Sequence, residues 1–144
     1  MSQLVEQVKA IIDKESPLIT NLSNVSAVLN QLENINWCGF YLAEGNYLYL
    51  GPFQGEVACT KIEKGKGVCG TSFERGTTII VPNVNEFKGH IACSSKSKSE
   101  IVTPIKKDNI VVALIDIDSP IFNRFDESDK NVLEEIASIL SDLF

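Results

Sequence analysis

Histidine is almost absent from this chain of 144 residues, where His90 stands alone. No two cysteines are spaced Cys-x-x-Cys either, so a structural zinc site fits poorly and no metal is expected. No apolar run approaches the roughly 20 residues that a membrane helix needs. Positive charge is scarce: 13 Lys and Arg against 19 Asp and Glu leave a net charge of -6. That balance argues against nucleic acid or an anionic membrane as the main partner, and leaves room for a small zwitterionic or cationic ligand. The first residues lack a basic segment followed by an apolar one, so no secretion signal is expected and the chain reads as cytoplasmic. Repeats, linkers and low-complexity stretches are missing too, and the length suits one domain, residues 1–144.

Four cysteines are present: Cys38, Cys59, Cys69 and Cys93. In a reducing compartment a permanent disulfide is disfavoured, which leaves transient redox roles to weigh against the ordinary fate of free cysteine as a small buried hydrophobe. Cys93 stands out by its setting. It follows Gly89-His90-Ile91-Ala92 and opens the polar run Ser94-Ser95-Lys96-Ser97-Lys98-Ser99-Glu100. Little there can bury a side chain, and nearby lysine favours thiolate. Lys96 and Lys98 themselves are expected to be solvated.

The periodicity predicts an α+β chain. Leu4, Val5, Val8, Ile11 and Ile12 mark a helix over 3–15, and Leu18, Leu22, Val25, Leu29 and Leu32 mark a second. Ser16 and Pro17 supply the second helix with an N-cap and a first residue. From Trp37 the pattern turns to strands: a hairpin about Glu44-Gly45-Asn46, an interruption at Gly51–Gly55, and a short strand over 57–62. The run Gly65-x-Gly67-Val68-Cys69-Gly70-Thr71 opens a third helix that Gly76 stops. It lacks the βαβ setting and the distant acid of a dinucleotide motif, and remains a helix N-terminus suited to a small carboxylate. Thr77–Val81 forms a strand, and 83–99 a loop long enough to suggest function. Two strands, 101–106 and 110–118, and a last helix opened by Asp126 and Asp129 complete one antiparallel sheet of about six strands with helices packed on it.

Alternation along the last strand puts Leu114, Asp116 and Asp118 on one face. Should Leu114 face the core, two carboxylates point there as well, at a cost unless they are paired or protonated. The bland reading is two solvated acids before a turn. Glu100 adds a third carboxylate on the neighbouring strand, and three acids near a cysteine suit an ammonium ligand together with a proton donor.

Several runs together resemble the free methionine-(R)-sulfoxide reductases, enzymes of GAF fold. They are Asn36-Trp37-x-Gly39-Phe40-Tyr41, Leu50-Gly51-Pro52-Phe53-Gln54-Gly55, Ala58-Cys59, Gly65-x-Gly67-Val68-Cys69-Gly70-Thr71, Gly89-His90-Ile91-Ala92-Cys93, Ser99-Glu100-Ile101-Val102-x-Pro104 and Leu114-Ile115-Asp116-Ile117-Asp118-Ser119. The resemblance implies Cys93 as the catalytic cysteine, which becomes a sulfenic acid as methionine leaves. It implies Cys59 as the main resolving thiol, with Cys69 an alternative or relay. Glu100, Asp116 and Asp118 would bind the substrate amine and the sulfoxide oxygen, with Glu100 or Asp118 supplying the proton. Trp37 and Tyr41 would form the pocket wall. It further implies thioredoxin as reductant, no cofactor, a role in oxidative stress and a homodimer. Cys38 departs from the pattern and is expected to be structural; His90 is expected to position the loop.

Two other functions compete with this one. A non-catalytic GAF sensor of a small ligand has no need of three cysteines around its pocket. A peroxide-sensing thiol protein uses the cysteines and leaves the acids unexplained.

Overall fold

The computed structural model describes residues 2–89 and 96–144. Four helices and six strands follow in the order α1 (Ser2–Ile11), α2 (Leu18–Leu29), β1 (Trp37–Glu44), β2 (Tyr47–Gln54), β3 (Lys61–Glu63), α3 (Gly67–Arg75), β4 (Ile79–Val81), β5 (Ser99–Lys107), β6 (Ile110–Ser119) and α4 (Glu127–Ser141). The strands make one antiparallel sheet in the order β3-β2-β1-β6-β5-β4. This is the α+β arrangement of about six antiparallel strands with helices packed on them that the sequence leads one to expect.

Side-chain alternation along the strands splits the core in two. Cys38, Phe40, Ile101, Ile105, Ala113, Ile115 and Ile117 point to the face covered by α1, α2 and α4. Trp37, Tyr41, Val102 and Leu114 point to the other, where Val68, Cys69 and Phe73 of α3 meet them. The apolar stripes read from the sequence are these buried faces, and Asp126 and Asp129 cap α4 reciprocally, each side chain accepting from the other's backbone N–H.

Several boundaries differ from the sequence expectation. Helix α1 ends at Ile11 because the Asp13 side chain accepts the Glu15 N–H and the Ser16 hydroxyl, a local turn that competes with a further helical turn. Ser16 is thereby occupied, and Pro17 takes the N-cap position of α2 without a side-chain cap. Strand β2 runs unbroken through Gly51 and Pro52, since a bulge between the Gly39 and Tyr41 pairings absorbs the extra residue. Residues 57–60 are not a strand: β3 is only Lys61–Glu63, and the preceding carbonyls are taken by other groups, among them the Trp37 and Tyr41 side chains. Within the long connection, a short 3-10 turn occupies Val84–Glu86, started by Asn83 accepting the Asn85 N–H.

Candidate active site

On the α3 side, three neighbouring strands bring their residues into rows across the sheet. Trp37 of β1 pairs with Asp118 of β6, which pairs with Glu100 of β5. One row along, Gly39 pairs with Asp116 and Asp116 with Val102. Two adjacent rows thus carry all three acids foreseen from the sequence, and Leu114 does lie in the core on their face. A cavity of about 540 Å³, open solvent included, is lined by these acids with Trp37, Tyr41, Val57, Ala58, Ile62, Lys66, Gly67, Val68, Cys69 and Ser97.

Aromatic rings form one wall. Trp37 stacks on Tyr41 at 6.1 Å and on Phe53 at 5.3 Å between ring centroids. The stack needs Gly39: a Cβ there would sit 2.3 Å from the Phe53 Cβ and 2.9 Å from the Trp37 ring. Trp37 and Tyr41 also hold the loop after β2. The Trp37 indole N–H donates to the Glu56 carbonyl at 3.0 Å, and the Tyr41 hydroxyl donates to the Cys59 carbonyl at 2.9 Å.

The start of α3 closes the opposite side. Gly70 allows it, since a Cβ at that position would lie 2.5 Å from the Glu63 carbonyl oxygen. The Gly65 N–H then bonds the Gly70 carbonyl at 2.8 Å. Gly67, Val68 and Cys69 therefore present the first turn of the helix to the cavity, and first-turn N–H groups lack intrahelical partners and favour an anion.

Electrostatically the floor is a crowd of acids. Burial, then Asp116 and Asp118, push the Glu100 carboxyl well above the ordinary carboxylate range. Burial, then Asp116, do the same to Asp118, which hydrogen bonds from Glu100 and Ser97 only partly oppose. The Cys69 thiol donates to Asp116 Oδ2 at 3.4 Å, and burial with the three carboxyls drives it far from ionisation. One ligand atom each from Cys69, Glu100 and Asp116 lies within 4.8 Å of the others. Carboxyls this close disfavour one another's charge in a poorly solvated place, so the cluster favours bound protons and welcomes a cation.

The cysteines fall into distinct environments. Cys59 is half-buried and disulfide-bonded, whereas Cys38 and Cys69 are free. Cys38 points away from the cavity into the helical core, where its thiol donates to the Ser26 carbonyl at 3.4 Å and burial pushes its pKa up to about 12. Cys93 and His90 lie outside the described residues. Lys96 forms a solvated pair with Glu56 at 2.7 Å, and the Lys98 ammonium sits 5.2 Å from the Phe122 ring centroid.

Some lining residues escaped the sequence reading. Ser97 lies two residues before β5 and reaches Asp118, while Asn36 donates to the Ser97 hydroxyl at 3.3 Å. Lys66 lies between Gly65 and Gly67, just ahead of α3, a position that could have flagged it.

The GAF domain family matches residues 17–142. The free methionine-R-sulfoxide reductase of Escherichia coli is 43% identical over 132 residues, covering 91% of this chain and 80% of that one. The chain belongs to the GAF-domain free methionine-R-sulfoxide reductases. Among solved members of that family, the reduced fRMsr of Staphylococcus aureus is 51% identical with a TM-score of 0.94, covering 99% of this chain and 93% of that one. The free methionine-R-sulfoxide reductase of Neisseria meningitidis, in complex with its substrate, is 40% identical with a TM-score of 0.90, covering 99% of this chain and 84% of that one. Reductase relatives therefore match almost the whole chain, the cavity-bearing strands included.

Proposed function

We propose that this protein reduces free methionine-(R)-sulfoxide to methionine. The observation that carries the reading is the convergence of Glu100, Asp116 and Asp118 on one cavity, between the Trp37–Tyr41 wall and the start of α3. The substrate ammonium lies among the acids and its carboxylate at the first turn of α3 beside Lys66. The S-methyl group rests on the aromatic wall. Enclosing both charged ends selects the free amino acid, because a peptide-bound residue would leave buried polar groups unpaired.

The Cys93 thiolate attacks the sulfoxide sulfur. The oxygen, protonated by Glu100 or Asp118, passes from the substrate sulfur to Cys93 Sγ as the S–O bond and the transient S–S bond break, so Cys93 ends as a sulfenic acid while methionine leaves. The sulfoxide sulfur gains the two electrons that the Cys93 sulfur loses. Both acids are suited to the proton delivery because burial among carboxyls favours their protonated forms. Cys59 then attacks the sulfenic sulfur, expels water and forms a disulfide, which a thioredoxin-type dithiol reduces in the cytoplasm. The half-buried, disulfide-bonded state of Cys59 beside a free, buried Cys69 supports Cys59 as the resolving thiol.

The test is an assay with free L-methionine-(R)-sulfoxide, the (S) epimer and a peptide-bound form, driven by dithiothreitol or thioredoxin. Turnover of the free (R) form alone, abolished by Cys93→Ser, is the expected result. Activity that survives Cys93→Ser would overturn the reading. Cys59→Ser should keep one stoichiometric turnover and lose thioredoxin-driven cycling.

A further inference from the structure

We infer that Cys69 is a positioning residue, whose protonated thiol holds the Asp116 carboxylate in its place in the pocket and favours its charged form. The inference rests on the reductase reading and revises the expectation of Cys69 as a second resolving thiol.

The contact is built rather than incidental. Cys69 is only 6% exposed and sits in the first turn of α3, its Sγ 3.4 Å from Asp116 Oδ2. The backbone of that turn cannot drift, because Gly70 packs against the Glu63 carbonyl and its own carbonyl takes the Gly65 N–H. Asp116 is fixed from below by its place on β6, between Gly39 and Val102. Thiol and carboxylate are thus clamped from opposite layers.

The same surroundings disqualify Cys69 as a nucleophile. The titratable groups around it are Asp116 and Asp118 from β6, Glu100 from β5 and Tyr41 from β1, with Lys66 just ahead of α3. A resolving thiol attacks as the thiolate, and a thiolate here would stand unsolvated beside three carboxyls. Burial and those carboxyls hold the proton on sulfur. The consequence is a division of labour among the acids. A donor to Asp116 favours its anionic form for the substrate ammonium, and the protons of the cluster stay with Glu100 and Asp118, where the sulfoxide oxygen needs one.

The test compares Cys69→Ala with Cys69→Ser. A hydrogen bond to a charged group contributes about 1.5 kcal/mol, so Cys69→Ala should lower kcat/KM about tenfold. The anionic form of Asp116 loses a donor, so the acidic limb of the kcat/KM profile should move to higher pH. Cys69→Ser restores a donor and should bring both the rate and the limb most of the way back. A serine variant that completes one turnover yet fails to cycle with thioredoxin would show Cys69 to be a resolving thiol and overturn the proposal. A second readout needs no turnover: the S–H stretching band lost in Cys69→Ser should lie at lower frequency than that of an unbonded thiol, and should shift back in Asp116→Asn. A band at the unbonded position would overturn the contact itself. If the band behaves as expected and the wild-type protein leaves methionine sulfoxide untouched, the reductase reading fails and the contact stands.

Discussion

Tyr41 gives its hydroxyl hydrogen to the carbonyl oxygen of Cys59 at 2.9 Å, while its ring stacks against Trp37 in the wall of the cavity. Burial, then Asp116, raise its pKa, so the phenol remains a donor. Tyr41→Phe keeps the ring and removes the anchor of the loop that carries Cys59. A neutral hydrogen bond contributes about 1 kcal/mol, so thioredoxin-driven kcat should fall about fivefold. Steady-state kinetics check this, and an unchanged kcat would mean that the loop is held by the Trp37–Glu56 contact alone.

The acid cluster should make the ligand-free protein less stable as pH rises. Glu100 and Asp118 have carboxyls raised on folding. Above the unfolded carboxylate range of about 4, the native state therefore holds protons that the unfolded chain has lost, and stability falls with increasing pH. Glu100→Gln removes one of these groups and should flatten the fall and stabilise the protein at neutral pH. Urea denaturation from acid to neutral pH measures it; a slope as steep as the wild type's would place the linkage elsewhere.

Gly39→Ala should damage stability and binding together. The new methyl would overlap Phe53 and Trp37, at distances where something must shift. Overpacking of this kind costs about 1–3 kcal/mol. Because the displaced ring is the aromatic wall, KM for the sulfoxide should rise along with the loss in thermal midpoint. A lower midpoint with an unaltered KM would show that Phe53, and not Trp37, yields.

Cys38→Ala should affect stability alone. The side chain is fully buried among the helices and its thiol is bonded to the Ser26 carbonyl. Losing the sulfur costs about 1–2 kcal/mol, read from denaturant midpoints, with the activity per folded molecule retained. A specific loss of thioredoxin cycling in this variant would bring Cys38 into the redox chemistry.

Much of this was legible in the residues, for physical reasons. The buried stripes of α1, α2 and α4 follow from helical spacing, and the shared face of Leu114 and Asp116 follows from the two-residue period of β6. The three acids were legible because alternation within a strand is local. Their adjacency to Trp37 was legible only through the family resemblance, since it depends on β1 and β6 pairing across a long stretch of chain.

What escaped was decided by contacts between distant residues. Nothing local shows that β2 passes through Gly51-Pro52 by means of a bulge, because the register of β1 determines it. The loop over 57–60 reads as a strand by composition, and side-chain donors from β1 hold it otherwise. Asp13 ends α1 with its side chain, where hydrophobic periodicity alone would continue the helix. Ser97 looks like one more polar loop residue until Asp118 and Asn36 are seen beside it.

The two-sidedness of β1 has one more effect. Trp37 and Gly39 face the cavity and Cys38, between them, faces the helices, so a full sheet stands between its sulfur and the cavity. In the proposed cycle sulfur–sulfur bonds are made and broken, and any additional thiol within range is a place for the wrong bond to form. The sheet acts as an insulating partition. Under the proposed cycle it keeps the Cys38 sulfur on the helical side of β1, away from the cavity where the other thiols would exchange.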